Sequence, residues 1–191
     1  MKNHKLIPII VISIFIAGCT NAGKNQAIKT TKDSKDTSAV SISTGEKNTI
    51  FIDVKSVNKT STFSFGMSKD NVMAKLRELK IEVKDEIEIT SRKDDPEFGN
   101  KVVLADGISF SFDKNNQLYA ISCNEKIPTS LGLKKGDLLK KAEELYGKSY
   151  NKYTTENGLV YEYAFNDHYF KVFIEAGKVS EWAVSKYKFF K

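Results

Sequence analysis

Cysteine and histidine are scarce in this sequence, with only Cys19, Cys123, His4 and His168 among 191 residues. Two cysteines exclude a disulfide framework and a four-thiolate zinc site, and neither their number nor their spacing fits zinc ligation. The chain also lacks a glycine-rich phosphate loop, a nucleophile elbow and a zinc-binding histidine pair on a helix, so no motif marks an enzyme. Asp85, Glu86 and Glu88, and likewise Asp94, Asp95 and Glu97, lack the ligand spacing and central glycine of a calcium loop and read as exposed loop. His168, beside Asp167 in a turn pattern, has no signalled nucleophile or metal partner and reads as a solvated turn histidine. These absences point to a protein that is not an enzyme and uses no cofactor or metal.

Charge of one sign is scarce where it would matter. The formal charge is +6, but residues 49–191 carry 23 basic against 21 acidic residues, a balance of only +2. Lys2 and Lys5 at the N-terminus and the surplus lysines of residues 20–48 hold the remainder. A basic nucleic-acid-binding face is therefore excluded as an expectation. Composition, at 40% hydrophobic and 11% aromatic residues, also argues against a wholly disordered or polytopic membrane protein.

What is present begins with an address. Residues 1–18 have a basic start and an apolar run, 6–17, broken by Pro8 and Ser13; it is shorter than the ~20 residues of a membrane span and fits a secretory signal. The ending Ile16-Ala17-Gly18-Cys19 resembles the lipobox of bacterial lipoproteins. That resemblance implies that Cys19 becomes a diacylated N-terminus and holds the chain on the extracytoplasmic face of a cell membrane. Residues 20–48 contain no aromatic residue and read as a flexible tether that would hold the domain roughly 30 Å from the bilayer. All aromatic residues except Phe15 follow Asn48, so residues 49–191 form one folded domain of ordinary size. Cys123 then has no disulfide partner and reads as a small buried apolar residue.

Within the domain a helix signal followed by alternating strands occurs twice. The first helix is predicted over 69–80, with Ser68 as N-cap and Val72, Met73, Leu76 and Leu79 on one face. The second follows Gly136-Asp137, with Asp137 as its cap, and ends at Gly147. Strands are predicted at 82–90, 101–104, 108–112, 117–123, 149–155, 159–165, 169–175 and 178–186, with hairpin turns between several of them. The fold class is thus α+β: two tandem helix-plus-antiparallel-meander repeats, about 63–123 and 128–186, forming a continuous sheet with helices on one face. Gly66 can be laid over Gly136 or over Gly132, and the register between the repeats stays open.

The glycine-led helix starts at Gly66-Met67-Ser68 and Gly136-Asp137, the meanders and the lipobox resemble the β-lactamase inhibitor proteins and the related small outer-membrane assembly lipoproteins. The resemblance covers about residues 63–186. It implies two α/β units side by side and a concave sheet face that binds protein. The chain departs from the secreted inhibitors in its anchor and in lacking a disulfide pair within each repeat.

The richest cluster is aromatic and lies in the second meander. Phe165 and Phe173 read as core. Tyr161, Tyr163, Tyr169 and Trp182 are the candidate binding residues, because tyrosine and tryptophan combine apolar area with a polar tip and concentrate at interface hot spots. The expected function is an anchored envelope lipoprotein whose sheet face binds an extracytoplasmic protein. A phage- or toxin-directed protective role would be a special case of that reading. The alternatives are a binder of a small ligand or an envelope polymer on the same face and, behind it, a hydrolase with a site built from scattered polar residues.

Overall fold

The computed structural model describes residues 50–89, 101–125 and 127–188, all within one compact unit, Ser43–Lys191. Cys19, the signal, the tether and the run Asp94-Asp95-Glu97 lie outside the described residues.

The described chain opens with a strap, residues 50–65, that contains a single helical turn, α1 (Val57–Thr60). Helix α2 (Lys69–Glu78) starts where Ser68 can cap it: the Ser68 hydroxyl accepts from the Asn71 amide at 3.3 Å, satisfying one of the free amides of the first turn. Helix α3 (Leu139–Tyr146) starts at Leu138 without a side-chain cap. Asp137, expected there, instead accepts from the Lys134 amide at 2.9 Å and from the Lys141 ammonium at 2.8 Å. These contacts hold its carboxyl below the usual range, against the opposing effect of burial.

Eight strands follow the chain as β1 (Val83–Glu88), β2 (Lys101–Ala105), β3 (Ile108–Phe112), β4 (Leu118–Cys123), β5 (Asn151–Thr155), β6 (Gly158–Ala164), β7 (Tyr169–Glu175) and β8 (Lys178–Ser185). They form one eight-stranded sheet in the order β1-β2-β3-β4-β8-β7-β6-β5, every pairing antiparallel. The run Ile108-Ser109-Phe110-Ser111-Phe112 shows why one face closes: its isoleucine and phenylalanines are buried and its serines only half-buried, the period-two pattern of a strand with one core face. Asp85, Glu86 and Glu88 belong to edge strand β1 and not to a loop. Charge on an outer strand discourages edge-to-edge pairing with another chain. Between β7 and β8, Ala176 (φ 49°) and Gly177 (φ 78°) both take positive φ, the requirement of the tight turn that matches strand twist.

This architecture corrects the expected α+β tandem of helix-plus-meander repeats with helices on one face. The body of the molecule is the antiparallel sheet, and the helices are few and short, at four, ten and eight residues. The strand order gives the reason. β4 pairs with β8 through Ala120↔Ser185, Ile121↔Val184, Ser122↔Ala183 and Cys123↔Trp182, so the two meanders meet through their last strands, the second running outward in reverse. Helices of this length cannot cover such a surface. The strap supplies Ile52, Val54, Val57 and Phe63, each at most 1% exposed, to the same core.

Candidate functional site

Strand register sorts the side chains of the sheet into two faces. Phe110 opposes Val103 and Ile121, Ile121 opposes Val184, Val184 opposes Phe170, and Phe170 opposes Tyr163. All of these lie in the hydrophobic cluster that also takes in Val57 of α1, Val72 and Leu76 of α2, and Ala142 of α3. This first face is the core.

Three of the four candidate binding residues lie on it. Tyr161 is 5% exposed, Tyr163 2% and Trp182 0%, so they are packing groups and cannot form a recognition surface. The Tyr163 ring stacks on Phe170 at 5.8 Å, Tyr150 meets Tyr161 edge-on at 4.9 Å, and the Trp182 indole N–H donates to the Ile127 carbonyl at 2.9 Å. Cys123, directly opposite Trp182, is fully buried, and burial pushes its thiol well above the ordinary value. The aromatic alternation was a real strand signal, but its aromatic side is the covered side.

Tyr163 carries a local defect. Its hydroxyl is buried without a hydrogen-bond partner among the described residues, whereas neighbouring Tyr146 donates to Thr129 at 2.6 Å and Tyr150 to Glu143 at 2.7 Å. Burial pushes the Tyr163 phenol well up and the Tyr146 phenol to about 12. Replacing Tyr163 with phenylalanine removes an unpaired polar atom and keeps the ring. It is expected to raise stability by about 1 kcal/mol; a loss of stability in urea titration would show that the hydroxyl does have a partner.

The second face carries Tyr169, the remaining candidate, opposite Ala164 and Ser185. Phe173, expected in the core, shares this face, because it opposes Val160 and Glu181. Ser109 and Ser122 face each other across β3 and β4 with their hydroxyl oxygens 2.6 Å apart. Burial pushes the Glu181 carboxyl above the usual carboxylate range, opposed by a hydrogen bond from the Ser122 hydroxyl. Glu162 opposes Lys171 in the β6–β7 ladder, and both are buried. The Tyr153 hydroxyl donates to Glu162 at 3.3 Å and the Lys171 ammonium to the Tyr187 carbonyl at 3.0 Å. Val102, Val160 and Ala183 are buried here too, yet stand outside the core cluster.

The face therefore mixes half-buried rings with hydroxyls and charged groups on a rigid ladder. Glu181, Ser122 and the Glu162–Lys171 pair were not foreseen from the sequence. Their available signal was a charged residue at alternate positions inside otherwise apolar strands. His168 also departs from expectation: it is 2% exposed rather than solvated. Among the described residues no group of three or more His, Cys, Asp or Glu side chains is placed to hold a metal ion. Comparison with protein-family models, curated proteins and solved structures gives no significant match.

Proposed function

We propose that this chain is a lipid-anchored bacterial envelope lipoprotein that acts by binding, without catalysis, and that its partner is an extracytoplasmic protein docking on the second face of the sheet. The observation that carries the reading is that face: the half-buried rings of Tyr153, Tyr169 and Phe173 share it with the half-buried Ser122 and Glu181. Rings with polar neighbours on a preorganised surface are the composition of protein interfaces, where aromatic anchors carry most of the affinity. The anchor rests on Ile16-Ala17-Gly18-Cys19 and the basic, apolar segment before it.

A photocrosslinker placed beside Tyr169 in intact cells tests the face. Capture of a protein is expected to fall at least about tenfold when Tyr169 and Glu181 are both changed to alanine, the loss typical of a hot-spot contact. Unchanged capture by the folded double variant would refute the docking surface. The anchor is tested separately: Cys19→Ala should leave the membrane fraction and lose palmitate labelling, and retention of both would overturn it.

A further inference from the structure

We propose that Phe51, Leu131 and Leu138, set among lysines at the corner where the chain from Cys19 enters the domain, rest on an anionic lipid bilayer as a second membrane contact. Phe51 is 44% exposed, Leu131 42% and Leu138 58%, and among the described residues they are the exposed large apolar side chains.

Hydrogen bonds gather the three in one place. The Ser130 amide donates to the Ile52 carbonyl at 3.0 Å, which sets the turn carrying Leu131 beside Phe51. The Lys141 ammonium donates to the Gly132 carbonyl at 2.9 Å and to Asp137 at 2.8 Å, tying the same turn to the start of α3, where Leu138 stands. The Phe51 amide donates to the Thr62 hydroxyl at 2.9 Å, and the Phe51 carbonyl accepts from the Thr62 amide at 2.8 Å. The apolar groups are thus presented on fixed backbone.

Charge selects the occupant. Residues 127–142 hold four lysines against one acid, Asp137, a surplus of +3 where the whole of 49–191 carries +2. Asp137 is engaged by Lys141, whereas Lys134, Lys135 and Lys140 are exposed. Glu144 lies 3.8 Å from Lys140, but both are open to water, and such a pair contributes little. Lys135 borders the second face, where it draws the Glu181 carboxyl down against the effect of burial. Exposed leucine and phenylalanine rimmed by lysine suit the boundary between the headgroups and acyl chains of an anionic bilayer. A protein docked here would have to cover the lysines, a residue type depleted from protein interfaces.

Position points the same way. Phe51 follows Cys19 by 32 positions, so a lipid on Cys19 keeps the patch within about 115 Å of the bilayer even at full extension, and the second contact forms within one molecule. The proposal rests on the anchored reading for that proximity, while the affinity of the patch for lipid stands apart from it.

The test places an indole at the patch. Trp182 is the one tryptophan of the chain and is fully buried, so in Leu138→Trp only the added indole can meet lipid. The full lipidated chain is bound to vesicles of phosphatidylcholine and phosphatidylglycerol in equal parts, with and without brominated acyl chains that quench an indole on contact. Quenching is expected, and it should be lost at high salt and on phosphatidylcholine alone. In the Cys19→Ala chain, vesicle affinity should fall at least about tenfold when Lys134 and Lys140 are both changed to glutamine, since each lysine near an anionic surface contributes about fivefold. Circular dichroism checks that this variant is folded. An indole that stays unquenched while the lipidated chain remains on the vesicles overturns the patch and leaves the anchor standing. A parent chain that binds no better than Cys19→Ala overturns the anchor, and quenching at high vesicle concentration then still supports the patch. Unchanged affinity in the folded glutamine variant, equal quenching on both vesicle types, or an indole that a captured protein covers and lipid never reaches each overturns the patch.

Discussion

Replacing Gly158 with alanine is expected to lower the thermal midpoint by roughly 10 °C. Gly158 opens β6 with φ +135°, a conformation essentially closed to residues with a side chain, whose strain alone costs about 1–3 kcal/mol. A methyl group built there would lie 2.2 Å from the Ile174 carbonyl oxygen and 3.2 Å from its carbon. Both atoms are backbone of the neighbouring strand β7, so no side chain can swing aside. The ladder from Leu159↔Ile174 to Ala164↔Tyr169 must part at its start. For a domain of this size about 3 kcal/mol corresponds to roughly 10 °C. Thermal denaturation followed by circular dichroism decides it, and a midpoint within a degree or two of the parent would mean that β6 and β7 are not this close.

Trp182→Ala should be at least as damaging, at about 3–5 kcal/mol. The indole is fully buried, opposes Cys123 on β4 and Val172 on β7, and lies 6.4 Å from the Phe170 ring. Alanine would leave a cavity at the seam between the two meanders and strip the Ile127 carbonyl of its donor. Trp182→Phe separates these effects: it keeps most of the volume and loses the hydrogen bond, for about 1–3 kcal/mol. Urea titration of both variants measures the difference. If Trp182→Ala kept full stability while abolishing partner capture, the residue would be a recognition group after all and the packing assignment would fail.

Local chemistry made much of the secondary structure legible. Ser68 at the head of an amphipathic stretch marked α2, and the alternation at residues 108–112 marked β3. What local chemistry could not reveal was which side of each strand would be covered. Tyr161 and Tyr163 alternate with Val160 and Glu162, and period two separates those sets without ranking them. The strap and helices, arriving from elsewhere in the chain, decided that the tyrosine side is the core. Asp137 misled for a related reason: aspartate before a helix suits a cap, but a lysine amide and a lysine side chain made the stronger claim on its carboxylate. His168 looked solvated because its turn is polar, but its ring is buried between Phe65 and Phe165 and reaches the carbonyl of the distant Val54. The β4–β8 pairing had no local signature either. Without it, two similar meanders look like repeats laid side by side.

That pairing sets an order of assembly. β8 is the last of the described strands along the chain, yet it occupies the middle of the sheet, between β4 and β7. Until it arrives, Leu118–Cys123 and Tyr169–Glu175 each lack one neighbour, so two apolar strand edges stand open at once. The chain is therefore most exposed to mispairing before β8 pairs, because the β4–β8 contact is long-range and no hairpin can stand in for it.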